Sequence, residues 1–150
     1  MNVRFPVDDL VLVAPEIIVC SFGLLILLLE AFLKRRSDLL FGILTLIGAL
    51  SSLIFVFSLF GFNTEIFFGL YSLDNLGSIL KGLFLVILIL IALLSLKYAE
   101  REEIVRGEYY SLLLFSTFGM MVMVSSRDLL TIFVGLEVMS LSIYILCVLL

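Results

Sequence analysis

No histidine occurs anywhere in the 150 residues. That absence removes imidazole ligands to haem, zinc and copper, and with them any histidine-based proton relay. Cysteine is almost as scarce. Cys20 and Cys147 are the only two, each inside an apolar run, so neither a disulfide framework nor a metal cluster is implied. Charged residues make up 15% of the chain, against about 25% in soluble domains. The formal net charge of −4 argues against nucleic acid, because nothing here neutralises a row of phosphates. A phosphate loop, a CxxC pair and a dinucleotide fingerprint are all missing. No base accompanies a serine or threonine to make it a nucleophile. Chemistry in this chain must run on carboxylates, lysines and hydroxyls.

What is present in excess is apolar surface. Hydrophobic residues reach 63%, whereas soluble chains hold about 45–50%. A water-soluble fold of this composition would carry a large greasy exterior with too few charges to cover it, so the bilayer is the solvent. A hydrocarbon layer of about 30 Å takes roughly 20 helical residues to cross, and five segments qualify: residues 10–33, 39–62, 76–96, 110–126 and 129–150. Their apolar runs are continuous rather than alternating, which predicts helices and not barrel strands. The fold class expected is an all-α polytopic membrane protein. Asp8 and Asp9 precede the first run where a signal peptide would be basic, and no small-residue cleavage site follows. Lys34, Arg35, Arg36, Lys97, Arg101 and Arg106 fall in the two connections on one side, against Arg4 and Arg127 on the other. This asymmetry predicts an N-terminus outside. The stretch 63–75 is mixed, and its part Ile66–Tyr71 is apolar enough to lie at the interface. The last residues, Cys147–Leu150, still belong to an apolar run, which reads as the front piece of a longer polytopic protein.

A charge at mid-bilayer costs about 2.5–3.5 kcal/mol on insertion scales, so each one needs a reason. Glu137 lies nine residues past Asp128, roughly 13 Å deep at 1.5 Å per residue, too far for a short side chain to reach water. Ser140 and Tyr144 follow at i+3 and i+7 on the same face, forming a narrow polar stripe, and Gly135 can admit a neighbouring helix closely. Glu137 is therefore either a proton-carrying carboxylate facing a hydrated interior or a protonated carboxyl that joins helices. Lys81 sits about 7 Å past Leu76, where it can act or simply snorkel outward, and Asp74 on the same face can pair with it. Other charges read as structural. Glu16 after Pro15 suits the first turn of a helix and its positive end, and Glu30 has Lys34 at i+4. Met120, Met121 and Met123 read as packing filler, and Ser116, Thr117 and Gly119 as small residues that let helices approach.

Two runs then take the reading further: Gly107–Met121 (GEYYSLLLFSTFGMM) and Asp128–Tyr144 (DLLTIFVGLEVMSLSIY). Together they closely resemble subunit N of the proton-translocating NADH–quinone oxidoreductases, respiratory complex I. Ala14-Pro15-Glu16 and the Asp74–Lys81 spacing agree with it. A glycine two positions before the glutamate favours subunit N over its sister antiporter-like subunits and the multisubunit cation/proton antiporters. The resemblance covers nearly the whole chain but only the first third or so of that subunit. It implies an antiporter-like fold of about fourteen helices built on inverted repeats, of which this chain carries the front part. It also implies a role for Glu137 in proton translocation, paired with a lysine on the seventh helix that lies beyond residue 150. Lys81 matches no central pumping residue of the family. The same resemblance implies a translocase subunit without a cofactor of its own, with NAD, FMN, iron–sulfur clusters and quinone in or near other subunits. Its partners would be the other membrane-arm subunits and the lipid, and its place the bacterial cytoplasmic membrane. The alternatives are a subunit of a related cation/proton antiporter or membrane hydrogenase, and a purely structural membrane subunit.

Overall fold

Apolar runs with few breakers become helices in lipid because only intra-segment hydrogen bonds can satisfy the backbone there. The computed structural model describes residues 10–32, 38–99 and 107–149. It contains helices α1 (Ala14–Phe32), α2 (Asp38–Ser58), α3 (Asn75–Ala99), α4 (Gly107–Ser125) and α5 (Leu129–Leu149). All five are long and apolar enough to cross a membrane, in agreement with the all-α polytopic fold expected. The second helix stops at Ser58 rather than Phe62, where the chain turns through Gly61 at a φ of 94°.

Helices α1 to α4 pack around a shared core. Val19 and Ile26 of α1, Ala49 of α2, Leu85 and Leu88 of α3, and Tyr110, Leu114 and Met121 of α4 are buried in it. The outer faces carry Leu28, Ile54, Phe57 and Leu94, all exposed, as a lipid-facing surface requires. Helix α5 packs chiefly on α4. The hinge of that contact is a pair of glycines. A Cβ on Gly119 would stand 2.6 Å from the Gly135 carbonyl oxygen, and one on Gly135 would stand 3.0 Å from the Gly119 oxygen. The two backbones touch because neither residue has a side chain.

Hydroxyls inside the bundle are disposed of locally. Thr45, Ser95, Thr117 and Ser142 each donate to the carbonyl four residues earlier, at 2.7–2.9 Å. This removes an unpaired donor from a medium without water. Ser52 is different: its hydroxyl reaches across from α2 to the Pro15 carbonyl at 3.0 Å and so fixes the start of α1.

Between α2 and α3 the stretch read as interfacial folds into a small hairpin. Strands β1 (Thr64–Ile66) and β2 (Tyr71–Leu73) run antiparallel, with Ile66 opposite Tyr71. Phe67 and Phe68 at the tip are exposed, whereas Ile66 and Tyr71 turn inward and are buried. The hairpin is tied to the far side of the bundle by a Tyr71–Ser126 bridge and by the Arg127 amide, which donates to the Leu70 carbonyl at 2.9 Å. Arg127 also forms an ion pair with Glu65, each side chain more than half exposed. Solvated pairs of this kind contribute about 0–1 kcal/mol. Arg127→Ala is therefore expected to leave the thermal midpoint of the purified protein nearly unchanged, since the amide contact survives it. Asp74 does not pair with Lys81. Its Oδ1 accepts from the Gly77 amide at 2.8 Å, making it the N-cap that starts α3.

Candidate functional site

Pro15 presets the first turn of α1 and brings Glu16 inside the bundle, where only 1% of it is exposed. A carboxylate so placed demands a cation or donors, and two other elements supply them. Lys81, seventh residue of α3, places Nζ 2.6 Å from Glu16 Oε1, with its side chain 5% exposed. Tyr71, carried in by the hairpin, donates its hydroxyl to the same Oε1 and accepts from Lys81 Nζ at 3.0 Å. The ammonium also stands 5.1 Å from the centroid of the Tyr71 ring, within cation–π range. Burial, and then the Glu16 carboxylate, push the Tyr71 phenol above its ordinary range, with the Ser125 hydroxyl of α4 opposing. The phenol therefore stays protonated and remains a donor. The result is a buried acid, base and hydroxyl in mutual contact.

This cluster corrects one sequence expectation and adds to another. Lys81 does not snorkel outward or pair with Asp74, and Glu16, read as suiting a helix start, is also buried against Lys81 and Tyr71. The local context of Glu16 explained it too easily, because proline followed by an acid is a common helix start. Its true partner lies on another helix. Tyr71 carried no signal beyond its position in an apolar stretch.

Glu137 lies elsewhere. It is half-buried near the middle of α5, about 12 Å past Leu129 at 1.5 Å per residue. Gly135 and Ser142 mark the buried side of that helix. At about 100° per residue, Glu137, Ser140 and Tyr144 fall on the opposite side, next to Phe133 and Leu141. Tyr144 is 65% exposed, and Phe133 and Leu141 are also exposed. The stripe read from the sequence thus points away from α4. Of the pair proposed for Glu30, Lys34 lies outside the described residues. Glu30 itself is half-buried against the start of α4, where a Cβ on Gly107 would stand 2.8 Å from its Oε2.

No protein-family model matches the chain. Individual relatives do. NADH-quinone oxidoreductase subunit N of Paramagnetospirillum magneticum is 40% identical over 138 residues, which is 92% of this chain and 28% of the relative. The chain is homologous to subunit N of NADH–quinone oxidoreductase. F(420)H(2) dehydrogenase subunit N of Methanosarcina mazei is 32% identical over 145 residues, 91% of this chain and 29% of that protein. Among solved structures, respiratory complex I from Thermus thermophilus with bound aureothin contains a chain that superposes with a TM-score of 0.74 at 26% identity. That match covers 88% of this chain and 28% of the other. This subunit N homologue therefore spans under a third of the length of the relatives it matches.

Proposed function

We propose that this chain forms the opening helices of a membrane-arm subunit of a redox-driven proton pump, with Glu137 as a proton-carrying carboxylate. The observation that supports the role of Glu137 is its placement. It sits mid-helix on the side of α5 facing away from α4, where a charge left against lipid would cost about 2.5–3.5 kcal/mol. Relatives of this chain are over three times as long, and that additional length is where we place the cover for the stripe and a lysine to pair with Glu137. In such a pair, moving the cation away or adding a proton to the acid changes the energy by several kcal/mol, enough to gate a proton step. Ser140 and Tyr144 line the same stripe and would carry hydrogen bonds along it. The subunit needs no redox group of its own in this reading, since electrons travel through partner subunits. The excess of Lys and Arg at positions 34–36 and 97–106 over Arg4 and Arg127 supports an orientation with the hairpin and the N-terminus outside.

The test uses the full-length subunit in its assembled complex, with Glu137→Gln, reconstituted in vesicles. The amide preserves hydrogen bonding and removes titration. Quinone reduction and proton uptake are expected to fall together while assembly persists. Wild-type values for both would make Glu137 structural and sink the reading. A cation/proton antiporter reading instead predicts that sodium uptake changes with the variant while electron transfer does not.

A further inference from the structure

A second buried carboxylate, chemically complete within this chain, plays no part in the reading above. We propose that Glu16 is a proton-exchange site on the hairpin side of the membrane, held beside Lys81 and served by Tyr71. The inference rests on the chain belonging to a proton pump, as proposed above.

Three observations carry it. First, Glu16 uses only one of its oxygens. Oε1 receives both Lys81 and Tyr71, whereas Oε2 is fully buried with no hydrogen-bond partner. A buried acceptor without a donor is costly, and a proton on Oε2 relieves that cost. Second, Lys81 is held by more than the carboxylate. The Tyr71 oxygen at 3.0 Å and the face of its ring keep contact with the ammonium, so Lys81 stays in place once Glu16 is neutralised. Third, a hollow of about 290 Å³ lined by Glu65, Ser72, Asp74 and Arg127 brings polar groups to the strand that carries Tyr71.

The step balances simply. A hydronium in the hollow gives up one proton and becomes water; an O–H bond forms at Glu16 Oε2, and the carboxylate becomes a carboxylic acid. The site passes from neutral to a single positive charge, and release reverses it. Glu16 meets Lys81 from α3 and Tyr71 from the hairpin; Ser125 of α4 acts on the Tyr71 hydroxyl, and the Ser52 hydroxyl of α2 is given to the Pro15 carbonyl. A purely structural pair would need none of the unused acceptor, the redundant hold on lysine or the polar hollow.

The experiment compares the wild-type complex with the double variant Glu16→Gln/Lys81→Met, both in vesicles, with the redox-induced infrared difference spectrum recorded on each. Removing both charges leaves no charge unpaired, so a merely structural role predicts normal pumping. The proposal predicts fewer protons per electron and loss of a protonated-carboxyl stretching band. Wild-type stoichiometry with an unchanged spectrum overturns it. Tyr71→Phe keeps both charges and serves if the double variant does not assemble. The carboxyl band is then expected to shift, and an unshifted band, or none in the wild type, overturns the proposal. Glu137→Gln is run in parallel. If that variant stops pumping while the double variant pumps normally, only the Glu16 site falls. If the wild-type complex moves no protons, both readings fall.

Discussion

Lys81→Met alone is expected to destabilise the full-length subunit by about 3–5 kcal/mol, the usual cost of removing one partner from a buried ion pair. The remaining Glu16 carboxylate is 1% exposed, and the Tyr71 hydroxyl is the one donor left on it. Assembled complex on a native gel should be scarce. Replacing both partners is expected to cost less than replacing either, because a matched pair of neutral side chains leaves no charge behind. A double-mutant cycle in detergent should therefore return a coupling at or beyond the upper part of the 0.5–3 kcal/mol range found for contacting residues. Additive single costs would show that the 2.6 Å contact holds little energy.

The second large effect lies at the α4–α5 contact. Gly119→Val is expected to push α5 off its seat, at a cost of about 1–3 kcal/mol or more. Its Cβ would meet the Gly135 oxygen at 2.6 Å and the Met139 nitrogen at 2.8 Å, and backbone atoms have no rotamer to escape into. On the role proposed for Glu137, which rides on α5, proton uptake should fall with it although no polar group has been touched. Gly82→Ala provides the contrast. The nearest atom to its new methyl is Leu53 Cδ1 at 4.0 Å, so its thermal midpoint should be close to wild type. Equal losses in the two variants would mean that glycine content, rather than the close approach, matters here.

The helices were readable from the sequence because each is written in consecutive residues. Leu129–Leu149 is an unbroken apolar run, and lipid leaves such a run one backbone solution. Gly135 and Gly119 were readable as places of close approach for a related reason: small residues in an apolar helix have few other uses. The Glu16 cluster was not, because its members stand at positions 16, 71, 81 and 125, and each has an adequate local explanation. Proline before Glu16 suggests a helix start, aliphatic neighbours around Tyr71 suggest an interface, and a stem as long as that of Lys81 suggests snorkelling. Only the packing of α1 and α3 against α4, and the inward turn of β2, bring them together. The hairpin escaped for want of length, since three-residue strands show too little alternation to stand out.

The Glu16–Lys81 pair also sets a timetable for biosynthesis. The lysine is made about 65 residues after the acid it joins, which at about 5–20 residues per second is a delay of roughly 3–13 s. Throughout that interval the first helix holds a carboxylate with no cation. It must wait at the membrane surface, or cross carrying a proton that it surrenders when the third helix arrives. Tyr71 is made 10 residues before Lys81, so it too precedes the lysine. The nascent subunit is thus most exposed to quality control between its first and third helices, and variants that slow the arrival of the third helix should be degraded before they are ever assembled.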